Sequence, residues 1–258
     1  MIKIYKQKDF EKMKIAGKLT AKVLNALDDF IKVGTTTQEI DDFCAEMIKK
    51  EGGISACFGY QGYPKNVCTS INDVVCHGIP DDTKLKEGDI INVDVTSIVD
   101  GYFGDASKMY CIGDDFKTKY PDRNKLVQVT KECLEIGIKK AKPGHKLLEI
   151  GKAIQEHAEK NGFSVVRDYC GHGCGKVFHD EPSVLHFMPS VFERKFFDIT
   201  LKEGMIFTIE PMINMGDWKL YVEKENGWTA RTKDGSFSAQ WEHTIGITSN
   251  GNIIFTKE

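Results

Sequence analysis

Four acids sit within or at the ends of otherwise apolar runs: Asp94 in INVDVT, Asp105 in FGDASKM, Glu210 in FTIEPM and Glu242 in AQWEHT. Asp94 and Asp105 flank Asp100-Gly101, and a D-G pair between alternating apolar stretches predicts a tight β-hairpin. Antiparallel strands then bring the two acids close together, where they repel unless something positive lies between them. Alternation puts Ile91, Val93 and Val95 on the face opposite Asp94. Aspartate is disfavoured in strands, so two on one hairpin ask for a reason. Solvated acids on an exposed sheet face would be the ordinary reading of either one alone; their company outweighs it.

Three histidines make up that company. His172 lies in CGHGCG, where glycines on both sides let ring and backbone approach a neighbour closely. His179 follows in VFHDEP, and His77 stands in VCHGIP. Acids on strands with an imidazole at a Gly-rich turn make a hard, oxygen-rich donor set, suited to a pair of divalent ions of the manganese, iron, cobalt or zinc type. Two such ions, about 3.5–4 Å apart and bridged by carboxylates, generate hydroxide from water at neutral pH and polarise a carbonyl. Bridging explains why the acids come in pairs. A competing zinc reading, in which Cys170 and Cys174 flank His172, offers one C-x3-C and no second pair, short of the structural-zinc pattern. The cysteines read instead as reduced, mostly buried thiols.

The elements that position these residues come in two copies. LKEGDIINVD (85–94) and LKEGMIFTIE (201–210) share their opening and reach an acid at the same offset. Upstream, 31–53 matches 140–163, aligning Gly34 with Gly144, Glu39 with Glu149, Ile40 with Ile150 and Gly52 with Gly162. Each copy reads as an amphipathic helix entered from a Gly turn and ended at a Gly, the first with a capping box at Thr36-x-x-Glu39. A further amphipathic segment precedes each: 9–31, with Phe10, Met13, Leu19, Val23 and Leu27 on one stripe, and 124–141. Strand-like segments follow. The pattern predicts an α/β (α+β) fold from two pseudo-repeat halves, about 9–115 and 124–250, with helices outside and equivalent carboxylates meeting near a pseudo-twofold axis.

Composition narrows the partners. The 258 residues carry a net charge of -3, and lysine and arginine form no dense block, so neither nucleic acid nor a membrane surface is indicated. The start of the chain lacks the apolar core of a secretory signal, and no 18-residue apolar run occurs, which reads as a soluble cytoplasmic protein. Without a heptad pattern or a distinctive exposed apolar stripe, it reads as a monomer.

Taken in order, CHGIP, INVDVT, GDASKM, YCGHGCG, FHDEP, FTIEPM and SAQWEHT resemble type I methionine aminopeptidase over essentially the whole chain. The resemblance implies the duplicated "pita-bread" fold, one catalytic unit over 1–258, and removal of the initiator methionine from nascent polypeptides, at the ribosome, when the next residue is small. It implies that Asp94, Asp105, His172, Glu210 and Glu242 hold two divalent ions (Mn, Co, Fe or Zn), with Asp105 and Glu242 bridging and hydroxide between the ions attacking the scissile carbonyl. Glu210 then handles the proton of the attacking water, His179 stabilises the tetrahedral intermediate, and His77 stands near the scissile nitrogen. Cys57, Tyr60, Tyr63, Cys68, Phe178 and Trp228 line the methionine pocket, and Asn72 and Ser238 lie near a monovalent cation in some relatives. Gln61 stands where relatives often carry histidine, and KLYVEKENGW before Trp228 reads as a local loop insertion. The rivals are a proline-specific aminopeptidase or prolidase of the same fold, which carries a large N-terminal domain, and a non-catalytic binding protein, which would have lost ligands. His145, His157 and His186 are read as structural, and His243 as facing away from Glu242.

Overall fold

The computed structural model of the chain describes residues 2–257. Its long helices come as two successive pairs, Gln7–Phe30 with Thr37–Lys50 and Pro121–Lys140 with Leu148–Lys160, each pair followed by strands. Every strand pairing among the described residues is antiparallel. The expected mixture of helix and antiparallel sheet is therefore what the chain adopts.

The first helix buries the stripe seen in the sequence, including Phe10, Met13, Leu19, Val23 and Leu27. It lies against the hairpin of Ile90–Val99 and Tyr102–Cys111, and the approach is close. A Cβ on Gly104 would sit 2.5 Å from the Ala16 carbonyl, a space only glycine leaves open. Thr20 Oγ1 donates to the Gly104 carbonyl at 2.6 Å. The helix-facing side of the hairpin carries Ile91, Val93 and Val95, all fully buried. Side chains of that size contribute about 1.5–3 kcal/mol each. Alternation leaves Asp94, Thr96, Asp105 and Ser107 together on the other side.

The repeat recurs in backbone detail. Gly88 and Gly204, which close the two LKEG stretches, hold φ of 91° and 89°. The Leu85 N–H donates to the Thr35 carbonyl and the Leu201 N–H to the His145 carbonyl, each at 2.9 Å. Isolated bridges join Thr36 to Lys84 and Lys146 to Thr200. The capping box forms as expected, with the Glu39 N–H donating to Thr36 Oγ1 at 3.1 Å and the Thr36 N–H to the Glu39 carboxylate at 2.7 Å. Lys146 occupies the corresponding place in the second half, so only the carboxylate arm survives, from the Lys146 N–H to Glu149 at 3.2 Å.

The halves diverge at the hairpin tip. In the first, Val99 pairs with Tyr102 across Asp100-Gly101, both at positive φ, as a two-residue turn of this hand requires. In the second, the register pairing Ile209 with His243 runs on to Met212 with Gln240, but regular strand structure lapses at Glu210-Pro211 and Trp241-Glu242. Proline has no N–H to contribute there. Segment 215–237 replaces the tight turn. Within it Leu220–Val222 pairs with Ala230–Thr232, which pairs in turn with Val74–Cys76 of the first half.

Candidate active site

The four acids and His172 converge where the cavity-facing side of the first hairpin meets the broken strand pair of the second half. Asp94 and Asp105 share that side but do not face each other. Asp94 is opposite Ser107, and Asp105 is opposite Thr96, so the acids are diagonal neighbours. Glu210 follows the strand Ile206–Ile209 directly, and Glu242 directly precedes His243–Thr248. A seam ties the halves together: the Glu242 N–H donates to the Ser107 carbonyl at 3.2 Å, and Thr244 Oγ1 to the Asp105 carbonyl at 2.7 Å.

Asp105, His172 and Glu242 each offer a ligand atom, and these atoms all lie within 4.8 Å of one another. His172 Nε2 is 3.5 Å from Asp105 Oδ2 and 3.5 Å from Glu210 Oε1. Burial pushes Asp94 well above the usual carboxylate range, with Asp105 beside it adding to the rise. Burial first, and then the neighbouring acids, do the same to Glu210 and Glu242. Asp105 rises to about 6, with the Thr96 hydroxyl working against its burial. The buried Oδ1 of Asp94 has no hydrogen-bond partner. An oxygen-rich shell of mutually repelling acids, one atom of it unsatisfied and a single imidazole within reach, fits divalent cations of intermediate hardness.

Buried threonines orient the donors. Thr96 Oγ1 donates to Asp105 Oδ1 at 2.6 Å. Thr208 Oγ1 accepts the His172 N–H at 2.9 Å and donates to Glu210 Oε1 at 2.7 Å, linking two donors through one hydroxyl. The sequence reading passed over Thr96, Thr208 and Thr244, yet each lies two residues from an acid, and a period of two would have placed them on the acid's face. It also missed Gln240, whose Nε2 lies 3.3 Å from Glu210 Oε2. His186, read as structural, is buried and accepts the Glu210 N–H on Nε2 at 3.1 Å.

A cavity of about 270 Å³ opens onto the acids, and every residue expected at the site lines it, together with Gln61, Tyr169, Cys170 and Met212. Its floor is apolar and sulfur-rich: Cys57, Cys68, Tyr63 and Phe178 are buried and packed with Tyr60, Phe103 and Trp228. Tyr63 donates from its hydroxyl to the Gly78 carbonyl at 2.9 Å, which fixes its ring edge-on to Trp228 at 5.1 Å. The stretch read as a loop insertion is the paired excursion described above. Asn226 Oδ1 accepts the N–H groups of Trp228 and Thr229 at 2.8 and 2.9 Å, a local turn that presents Trp228 to the cavity. Arg231 clamps its base between Glu223 and Asp73.

His179 stands at the mouth, its Nδ1 2.9 Å from the Tyr60 hydroxyl and its ring 4.1 Å from that of His172. His77 sits edge-on to Tyr169 at 5.1 Å, and burial lowers its pKa to about 4. The Ser238 N–H donates to the Asn72 carbonyl at 2.8 Å, so these two backbones meet. His145 and His157 lie elsewhere, paired with Glu149 and Glu132. His243 does face away, toward Thr256. The eight cysteines are free thiols, and no donor group around Cys170 and Cys174 forms among the described residues. Among the described residues, no helix is long and apolar enough to cross a membrane.

Comparison with known proteins supports the same picture. The model of metallopeptidase family M24 matches residues 11–249. A methionine aminopeptidase of Rickettsia prowazekii is 51% identical over 256 residues, covering 99% of this chain and 95% of that one. One from Escherichia coli K12 is 50% identical over 257 residues, covering 99% and 94%. The crystal structure of the methionine aminopeptidase from Rickettsia prowazekii superposes with a TM-score of 0.93 at 51% identity, covering 99% of this chain and all of that one.

Proposed function

The chain belongs to metallopeptidase family M24, and from that premise we propose that it is a methionine aminopeptidase, a hydrolase that removes the N-terminal methionine from nascent proteins and peptides when the next residue is small. The observation that carries this reading is the tight donor group of Asp105, His172 and Glu242 beside a cavity floored by sulfur and aromatic side chains. Asp94, Asp105, His172, Glu210 and Glu242 would hold two divalent ions, manganese, iron, cobalt or zinc. When bound, such ions supply a nucleophile from water at neutral pH and polarise the scissile carbonyl.

The protein's own residues do the rest. Glu210 accepts the proton of the attacking water on its carboxylate, which Thr208 and Gln240 hold in place. The Tyr60 hydroxyl pairs with His179 Nδ1, and in the tautomer where that nitrogen accepts, Nε2–H is the donor toward the oxygen that gains charge. His77, kept neutral by burial, stands ready at the departing amine. Cys57, Tyr60, Tyr63, Cys68, Phe178 and Trp228 receive the methionine side chain, whose soft thioether suits sulfur and ring surfaces. The reading extends to N-termini emerging at the ribosome in the cytoplasm, to a monomer needing neither nucleic acid nor membrane, and to a monovalent cation where Asn72 and Ser238 meet.

The test is hydrolysis of Met-Ala-Ser beside Leu-Ala-Ser by protein stripped of metal and then reloaded with manganese. Methionine released only after reloading, and much faster than leucine, is expected. No metal-dependent release of methionine would overturn the reading.

A further inference from the structure

Glu210 is held at three atoms, and only two belong to its carboxylate. Thr208 grips Oε1 at 2.7 Å, and Gln240 approaches Oε2 at 3.3 Å. The third is its backbone N–H, which donates to His186 Nε2 at 3.1 Å. That N–H lies where the strand Ile206–Ile209 has stopped and Pro211 follows, so the sheet no longer fixes the chain. An imidazole that accepts on Nε2 is neutral and carries its proton on Nδ1. His186 is itself set from behind. A Cβ on Gly151, in the helix Leu148–Lys160, would lie 2.5 Å from the Leu185 carbonyl and 2.8 Å from that of Phe187, so this helix presses directly on the segment bearing His186.

We propose that His186 is a positioning residue: through Nε2 it anchors the backbone of Glu210 at the strand break, and so fixes where that carboxylate points. It is buried and is not among the residues that line the cavity, so it acts through Glu210. The role rests on the reading of the chain as a methionine aminopeptidase with Glu210 in its reactive set. Residues that orient donors from behind typically change activity or metal affinity about 10–100-fold when replaced.

The test uses three variants of the full chain. His186→Phe keeps the ring and removes the acceptor. His186→Gln restores an oxygen at the reach of Nε2, and His186→Asn places it at the reach of Nδ1, leaving the Glu210 N–H unmet. Phe and Asn should lower kcat on Met-Ala-Ser about 10–100-fold with KM nearly unchanged, while Gln recovers to within about fivefold. Wild-type kcat in folded, manganese-loaded His186→Phe overturns the proposal, as does Gln performing no better than Asn. If the Phe variant does not fold, the Gln and Asn pair decides. Calorimetric titration with manganese separates this proposal from the functional reading on which it rests. Should even the wild type release no methionine, weaker manganese binding in Asn than in Gln still upholds the anchoring role, and equal binding refutes it.

Discussion

The two halves share a plan up to the LKEG turn and part at the hairpin beyond it. The first half closes its long strands through Asp100-Gly101 into a continuous ladder that carries Asp94 and Asp105 on one rigid face. The second half interrupts the same ladder at Glu210-Pro211 and opens its tip into segment 215–237, which reaches back to the first half at Val74–Cys76 and presents Trp228. The first half therefore supplies a rigid platform, His77 and most of the cavity floor, and the second supplies His172, His179, Glu210 and the wall that carries Trp228. The acids themselves follow this division. Asp94 and Glu210 occupy matching positions, but the second-half register sets Glu242 opposite Glu210 where the first has Ser107 opposite Asp94, and puts Gln240 where the first has Asp105. Duplication accounts for one pair of acids. The other pair breaks the symmetry.

That asymmetry gives the largest expected effect. Asp105→Asn removes a charge from the donor group while keeping the shape that bonds to Thr96. Turnover should fall more than about 100-fold, with metal content lowered on elemental analysis. Replacing its symmetry mate, Gln240→Ala, should cost about tenfold or less and leave metal content intact. Equal losses at the two positions would mean that the halves contribute alike.

Within the second half, the proposed metal ligand His172 and the proposed catalyst His179 stand ring against ring. His172→Ala should strip metal. His179→Ala should retain it while slowing turnover about 10²–10³-fold, the usual effect of losing one donor to a developing oxyanion. Metal loss of the same size in both would show that the two roles have been confused.

The smallest effect is one of stability without metal. Burial holds Asp94, Glu210 and Glu242 well above their ordinary range, so the folded chain binds more protons there than the unfolded chain, and stability falls as pH rises. Buried histidines such as His77, His172 and His186, whose pKa values are lowered to about 4, 4 and 3, act in the opposite direction. Their contribution rises with pH and is complete above the unfolded value of about 6.5. Above pH about 6.5 the histidine contribution is constant, so the raised acids make metal-free protein melt at lower temperature as pH climbs through their folded range, while manganese-loaded protein does not follow. A flat melting profile without metal would contradict the buried-charge account.

The sequence reading reached the hairpin, the paired helices and the acids that converge on the cavity because each rests on a local signal: a D-G turn, a 3.6-residue stripe, an acid in an apolar run. It placed Asp94 and Asp105 close together without resolving that they are diagonal, since register depends on pairing across the whole ladder. The threonines were legible through a period of two and were passed over. His186 was not legible. Its contact with Glu210 depends on a helix pressing its segment against a strand break, and no spacing along the chain encodes that packing. The equivalence of Asp94 with Glu210 followed from the repeat, whereas the displacement of Glu242 from Asp105's position depends on the same non-local register.

The central claim is that both halves contribute donors to one cage around two cations. Anomalous diffraction from crystals grown with manganese tests it most directly. The account predicts two peaks about 3.5–4 Å apart, surrounded by Asp94, Asp105, His172, Glu210 and Glu242. Peaks elsewhere, or a single ion held by one half alone, would contradict it.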